Sequence, residues 1–177
     1  MKAVIIATIP AACLAAALSA AAQMSMPSVA GILPSGFGDA VDRDIQGSRA
    51  ATEPFRSADA AVAAGYTATS ECVEHQPHGG MGYHFKNDAL YDTVLDPEKP
   101  EVLVYERAAD GNLRLNGVEH LVPIEKWNRA EPPVIMGQPL KKFEKLGFYY
   151  LHVWTWKASP TGVFADWNPD VKCPPRS

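Results

Sequence analysis

The chain has no glycine-rich phosphate loop, no dinucleotide fingerprint, no His-Glu-x-x-His helix, no Cys-x-x-Cys pair and no nucleophile elbow. The usual signatures of nucleotide, zinc-protease, thiol-redox and α/β-hydrolase chemistry are therefore missing. Ser-His-Asp chemistry from scattered residues stays open, although no serine stands in a recognisable setting. A polybasic run is also lacking. Lys and Arg number 16 against 20 Asp and Glu, a net charge of −4. Nucleic acid and anionic membrane both need a basic face, so neither is an expected partner. After residue 22 no stretch approaches the roughly 20 apolar residues that cross a bilayer. Cysteine is scarce, with three in 177 residues.

What is present begins with an export pattern. Lys2 precedes an apolar run from Ala3 to Leu18, and Ala20-Ala21-Ala22 supplies small residues for cleavage. Residues 1–22 read as a signal peptide, with Gln23 as the new N-terminus and an exported, periplasmic or extracellular product that keeps no stable membrane anchor. The competing readings are a retained anchor, which Pro10 and the alanines weaken, and a lipoprotein on Cys13, which Ile9-Pro10-Ala11-Ala12 suits poorly. Cleavage removes Cys13 and leaves Cys72 and Cys173 as the one intramolecular pair. In an oxidising compartment such a pair is expected to bond, the alternative being two buried free thiols.

Residues 23–51, rich in Met, Pro, Ser and Gly, read as a flexible N-terminal arm before a single globular domain at 52–177. Thr52 as cap, then Glu53 and Pro54, predict an amphipathic helix over 53–64, stopped at Gly65. Strand signals follow at 66–72, 83–85, 101–107, 113–122 and 148–156, with Asp110-Gly111 turning the hairpin between the third and fourth. Long loops fall at 74–82, 86–99 and 128–147. The expected fold class is α+β, one N-terminal helix on a mainly antiparallel sheet of about four to six strands, closed by the disulfide.

Strand alternation then selects candidate site residues. Glu119 shares the odd face of its strand with Leu113, Leu115 and Leu121. A carboxylate in apolar company must be protonated, paired or bound to a cation, unless a bulge sends it to solvent. His152 falls in the row Phe148, Tyr150, Trp154, Trp156. A hydrogen-bonded core histidine is the plain alternative there. His84 follows Gly82 and Tyr83 at a strand start, where glycine permits close approach of a ligand. His75 and His78 form a weak metal pattern in a loop and read equally as solvated residues. Two histidines and a carboxylate suit a divalent transition metal. His84, Glu119 and His152 are thus the metal candidates, Glu119 is the candidate general base, and Tyr83, Tyr105, Trp154 and Trp167 are the candidate pocket walls.

These pieces together resemble a family of uncharacterised exported bacterial proteins. The resemblance is carried by Ala61 to Tyr66, Cys72, Gly80-Met81-Gly82-Tyr83-His84, Pro100 to Tyr105, Val118-Glu119, Leu151-His152-Val153-Trp154 and the close from Pro160 to Cys173 with Trp167-Asn168-Pro169. It spans roughly residues 52–173. The family pattern has Tyr or Trp where this chain has His120, so His120 looks less like a required ligand. The resemblance implies an exported, disulfide-closed domain and brings no activity. The leading expectation is an extracytoplasmic protein with a metal or small-ligand pocket. An enzyme at the same site, using Glu119 and a histidine or a metal, and a purely structural or interaction module are the alternatives.

Overall fold

The computed structural model describes residues 29–175. Residues 1–22, Cys13, the cleavage point at Gln23 and the start of the arm lie outside the described residues. The fold is α+β, as expected, but its main helix is not the one anticipated. Helix α1 is Asp39–Thr52 and α2 is the short Ala58–Ala63. The strands are β1 Thr67–Ala68, β2 Val73–His75, β3 Gly79–Lys86, β4 Val102–Arg107, β5 Leu113–Pro123, β6 Val134–Ile135, β7 Gln138–Pro139, β8 Lys141–Phe143 and β9 Phe148–Val153. Seven form one antiparallel sheet in the order β1-β3-β4-β5-β9-β8, with β2 also on β3. Strands β6 and β7 make a separate small pair.

Helix α1 corrects the reading of residues 23–51 as a flexible arm. Val41, Ile45, Ser48 and Thr52 recur at helical spacing and are buried. Asp39 and Asp42 stand in the first turn and Arg49 in the last, which suits the helix dipole. Ile45 is fully buried in the larger core with Leu103, Tyr105, Val118 and Val153. The helix expected at 53–64 is broken instead. Thr52 ends α1 rather than starting a helix, and its hydroxyl donates to the Ser48 carbonyl at 2.6 Å. Ser57 is extended, bridges to Arg114 on β5, and caps α2 through Ala60 N–H. Pairing with the sheet thus outweighs helix propensity at Arg56-Ser57.

Two bulges control which side chains share a face. On β5 the register passes from Val104↔Gly117 to Tyr105↔Leu115, leaving Asn116 as the extra residue. On β3 it passes from Val73↔Gly82 to Glu74↔Gly80, leaving Met81 extra. The two are tied together, since the Asn116 amide donates to the Met81 carbonyl at 2.9 Å. The Asn116 bulge overturns strict alternation along 113–121. Leu115 joins the helix-side core, whereas Leu121 joins a second cluster with Met81, Val102 and Val104 on the other face.

The segment expected as an open loop at 74–82 is largely strand. Its glycines admit a neighbouring chain segment. A Cβ on Gly79 would lie 2.1 Å from the Asn168 carbonyl oxygen, and Gly80 and Asn168 exchange backbone hydrogen bonds. The C-terminal segment therefore lies directly on β3. Cys72 and Cys173 are joined there, with Cα atoms 5.6 Å apart.

Candidate functional site

The second face of the sheet carries the site. His84 on β3 stands opposite Val104. Glu119 on β5 stands opposite Val102 on one side and His152 on the other. The three residues therefore converge across three strands with β4 between the first two. His84 Nε2 lies 3.6 Å from Glu119 Oε2, and His152 Nδ1 lies 3.8 Å from Glu119 Oε1. Each imidazole faces a different oxygen of one carboxylate. All three residues are buried, His152 completely. The structure thus places both candidate histidines within 4 Å of the Glu119 carboxylate.

Electrostatics set their charge. Burial pushes the Glu119 carboxyl up, but the neighbouring His84, His152 and His120 together hold it below the ordinary carboxylate range. Burial pushes the His84 ring down. The Glu119 charge pulls it back up, His152 opposes that pull, the Gly82 carbonyl adds to it, and the net direction is downward. At neutral pH the pair is an anionic carboxylate beside a neutral imidazole. His84 charges only in acid, where it then resists protonation of the carboxylate.

A cavity of about 520 Å³ opens beside this trio. Its walls are apolar and aromatic: Met81, Val102, Leu121, Phe148, Tyr150 and Trp167. Its polar lining includes Ser70, His84 and Glu119. Leu146 and Phe143 line it while 58% and 39% exposed, which places them at the mouth. Burial pushes the Tyr150 hydroxyl up to about 12, assisted by Asp166 and Glu119, so it stays a neutral donor, aimed at Asp166.

Of the four expected wall residues, only Trp167 lines this cavity. Tyr105 points to the helix-side core and donates its hydroxyl to the Phe55 carbonyl. Tyr83 packs on that same face under Arg107. Trp154 lies behind the site, its ring centroid 4.3 Å from that of His152 and its indole donating to the Ala165 carbonyl. Strand alternation in β3 and β4 places both tyrosines opposite His84. Phe148 and Tyr150 share the His152 row and were identifiable from it; Ser70, in a plain polar run, carried no signal.

His120 belongs to a different pair. Its Nδ1 lies 3.3 Å from Glu101 Oε2, and that oxygen accepts from the Leu121 amide. Both side chains are buried away from the cavity. His75 and His78 are exposed and stack on one another, with Trp167 beside His75. Among the described residues no group of three or more His, Cys, Asp or Glu side chains is arranged to hold a metal ion. Among the described residues, no helix is long and apolar enough to cross a membrane. Comparison with family models, curated proteins and solved structures finds no match to this chain.

Proposed function

We propose that this chain is an exported protein that binds a small amphiphilic ligand in the cavity beneath Leu146 and Phe143. The observation that carries the reading is a ligand-sized apolar cavity opening onto a buried, ionised carboxylate. Volumes of this order are usual for small-molecule sites, which combine apolar walls with a few converging polar groups. Glu119 offers an anionic acceptor to a ligand head that donates hydrogen bonds, while Lys86 and Lys142, which also line the cavity, are each paired with a carboxylate. The apolar wall takes the body. Export is supported by the Lys2-to-Ala22 pattern and by the Cys72–Cys173 bond. The motifs that resemble a family of exported bacterial proteins support export as well.

The test uses N-phenyl-1-naphthylamine, a neutral amphiphile that brightens in apolar surroundings. Saturable binding by the native protein, weakened in Leu146→Glu at the exposed mouth, supports the reading. Equal binding in the variant and the parent overturns it. A divalent transition metal bound through Glu119 and its neighbouring histidines is the second reading; it requires the three side chains to draw closer than they stand, and it is favoured by His152, neither of whose ring nitrogens has a hydrogen-bond partner. Metal analysis of protein purified without an affinity tag decides it. Stoichiometric metal that is lost in Glu119→Gln establishes that site, and equal metal content in both proteins removes it.

A further inference from the structure

Ser70 enters the same cavity as His84 and Glu119. Its Oγ lies 3.1 Å from His84 Nδ1. That oxygen also accepts a hydrogen bond from the His84 backbone N–H at 3.3 Å. An oxygen already accepting from the backbone can turn its own hydrogen toward Nδ1. The opposite ring nitrogen, Nε2, faces Glu119 Oε2 at 3.6 Å. In the tautomer with the ring proton on Nε2, a bare Nδ1 meets the Ser70 hydroxyl and the proton faces the carboxylate. The backbone fixes this arrangement, because the Thr69 amide and hydroxyl both donate to the His84 carbonyl, at 2.9 and 3.2 Å. His152 Nδ1 faces the far oxygen of Glu119 at 3.8 Å.

We propose that Ser70, His84 and Glu119 form a nucleophile–base–carboxylate relay that hydrolyses small esters with an apolar acyl group. The inference rests on the reading of the cavity as a ligand site and adds a reaction to it. Ser70 Oγ attacks the ester carbonyl carbon while its proton passes to His84 Nδ1. The tetrahedral intermediate collapses, the carbon–oxygen bond to the alcohol breaks, and the alcohol leaves with the proton from His84. Water then attacks the acyl-serine, its proton passes to His84, and Ser70 leaves with that proton to give the free acid. Ser70 and His84 are catalytic residues. Glu119 is a positioning residue that holds the ring and offsets the imidazolium charge of each step. Met81, Val102, Leu121 and Phe148 provide the acyl side of the cavity.

The experiment uses p-nitrophenyl butyrate, diisopropyl fluorophosphate and the naphthylamine probe on the disulfide-bonded protein. The expected result is saturable ester hydrolysis and a single phosphoryl adduct that peptide mapping places on Ser70. Ser70→Ala should lose at least about 100-fold in kcat/KM while keeping a folded far-UV circular dichroism spectrum. Glu119→Gln should keep the Ser70 adduct at a reduced rate. The acid limb of its kcat/KM profile should move to lower pH, because His84 loses the charge that raises its pKa. Hydrolysis at parental rate in Ser70→Ala, or an adduct on another residue, overturns the relay. A native protein that binds the probe but neither turns over ester nor labels also overturns it, and leaves the binding reading standing. A native protein that fails to bind the probe overturns both.

Discussion

Glu119 and His84 make the stability of the protein depend on acid in a defined direction. The folded His84 pKa lies below its ordinary 6.5, so between that value and its folded pKa the unfolded chain holds more protons. The folded Glu119 pKa lies below its ordinary 4.5, and the same holds in that lower window. Stability therefore rises with pH through both windows and is lost as pH falls from about 6.5. Urea unfolding between pH 7 and 3 should show this as a falling midpoint. Glu119→Gln should remove the part of the fall that lies below 4.5 and retain the part that begins near 6.5. A midpoint independent of pH over that range contradicts the charge assignment. Gly117 gives a second prediction at this scale. A Cβ there would lie 2.7 Å from the Val153 carbonyl oxygen and 3.1 Å from His152 Nε2. Gly117→Ala should cost about 1–3 kcal/mol by overpacking and shift the His152 ring resonances in NMR spectra. An unshifted His152 ring would show that this face is looser than its geometry implies.

At the scale of elements, the strands were the most legible part. Glu101 to Arg107, Leu113 to Val122 and Phe148 to Trp156 carry β-branched and aromatic residues between clear turns, and each contains a strand close to its expected span. Glu119 and His152 stood out for the same reason, as polar side chains in apolar rows, and His84 stood out through the glycine before it at a strand start. Alternation failed where a bulge intervened, because no local signal marks Asn116 as the extra residue. Its partner is Met81, distant in the chain, and only the folded sheet brings them together. Helix α1 was missed for a different reason. Asp39 to Thr52 contains Gly47 and few large apolar residues, so its periodic stripe is faint beside the Pro and Gly punctuation that precedes it. Its contribution rests on long-range packing. Ile45→Ala should destabilise the domain by about 2–5 kcal/mol, read from urea midpoints. A shift under a few tenths would restore the reading of this segment as an arm.

Across the whole molecule, the disulfide joins residues 101 positions apart and ties the two chain segments that frame the cavity. Cys72 lies two residues beyond Ser70, and Cys173 lies six beyond Trp167, so the bond anchors both a polar group of the site and one aromatic wall. Asn168 adds the bridge to Gly80 on the same strand that carries His84. The sheet itself is held by the helix-side core, which does not involve the bond. Removing it should therefore act at two levels. In the chain-entropy view, closing a loop of this length stabilises the fold by up to about 4–5 kcal/mol, so the Cys72→Ser/Cys173→Ser double variant should melt well below the parent. Below that melting point its far-UV circular dichroism should match the parent, because the strands and α1 remain packed. Binding of the naphthylamine probe should nevertheless weaken at such temperatures, since Trp167 and the 69–72 loop lose their common anchor. Parental affinity in a variant that melts lower would separate the bond from the cavity and confine its role to the unfolded chain. Weakened binding with an unchanged spectrum would establish that the bond shapes the site as well as the fold.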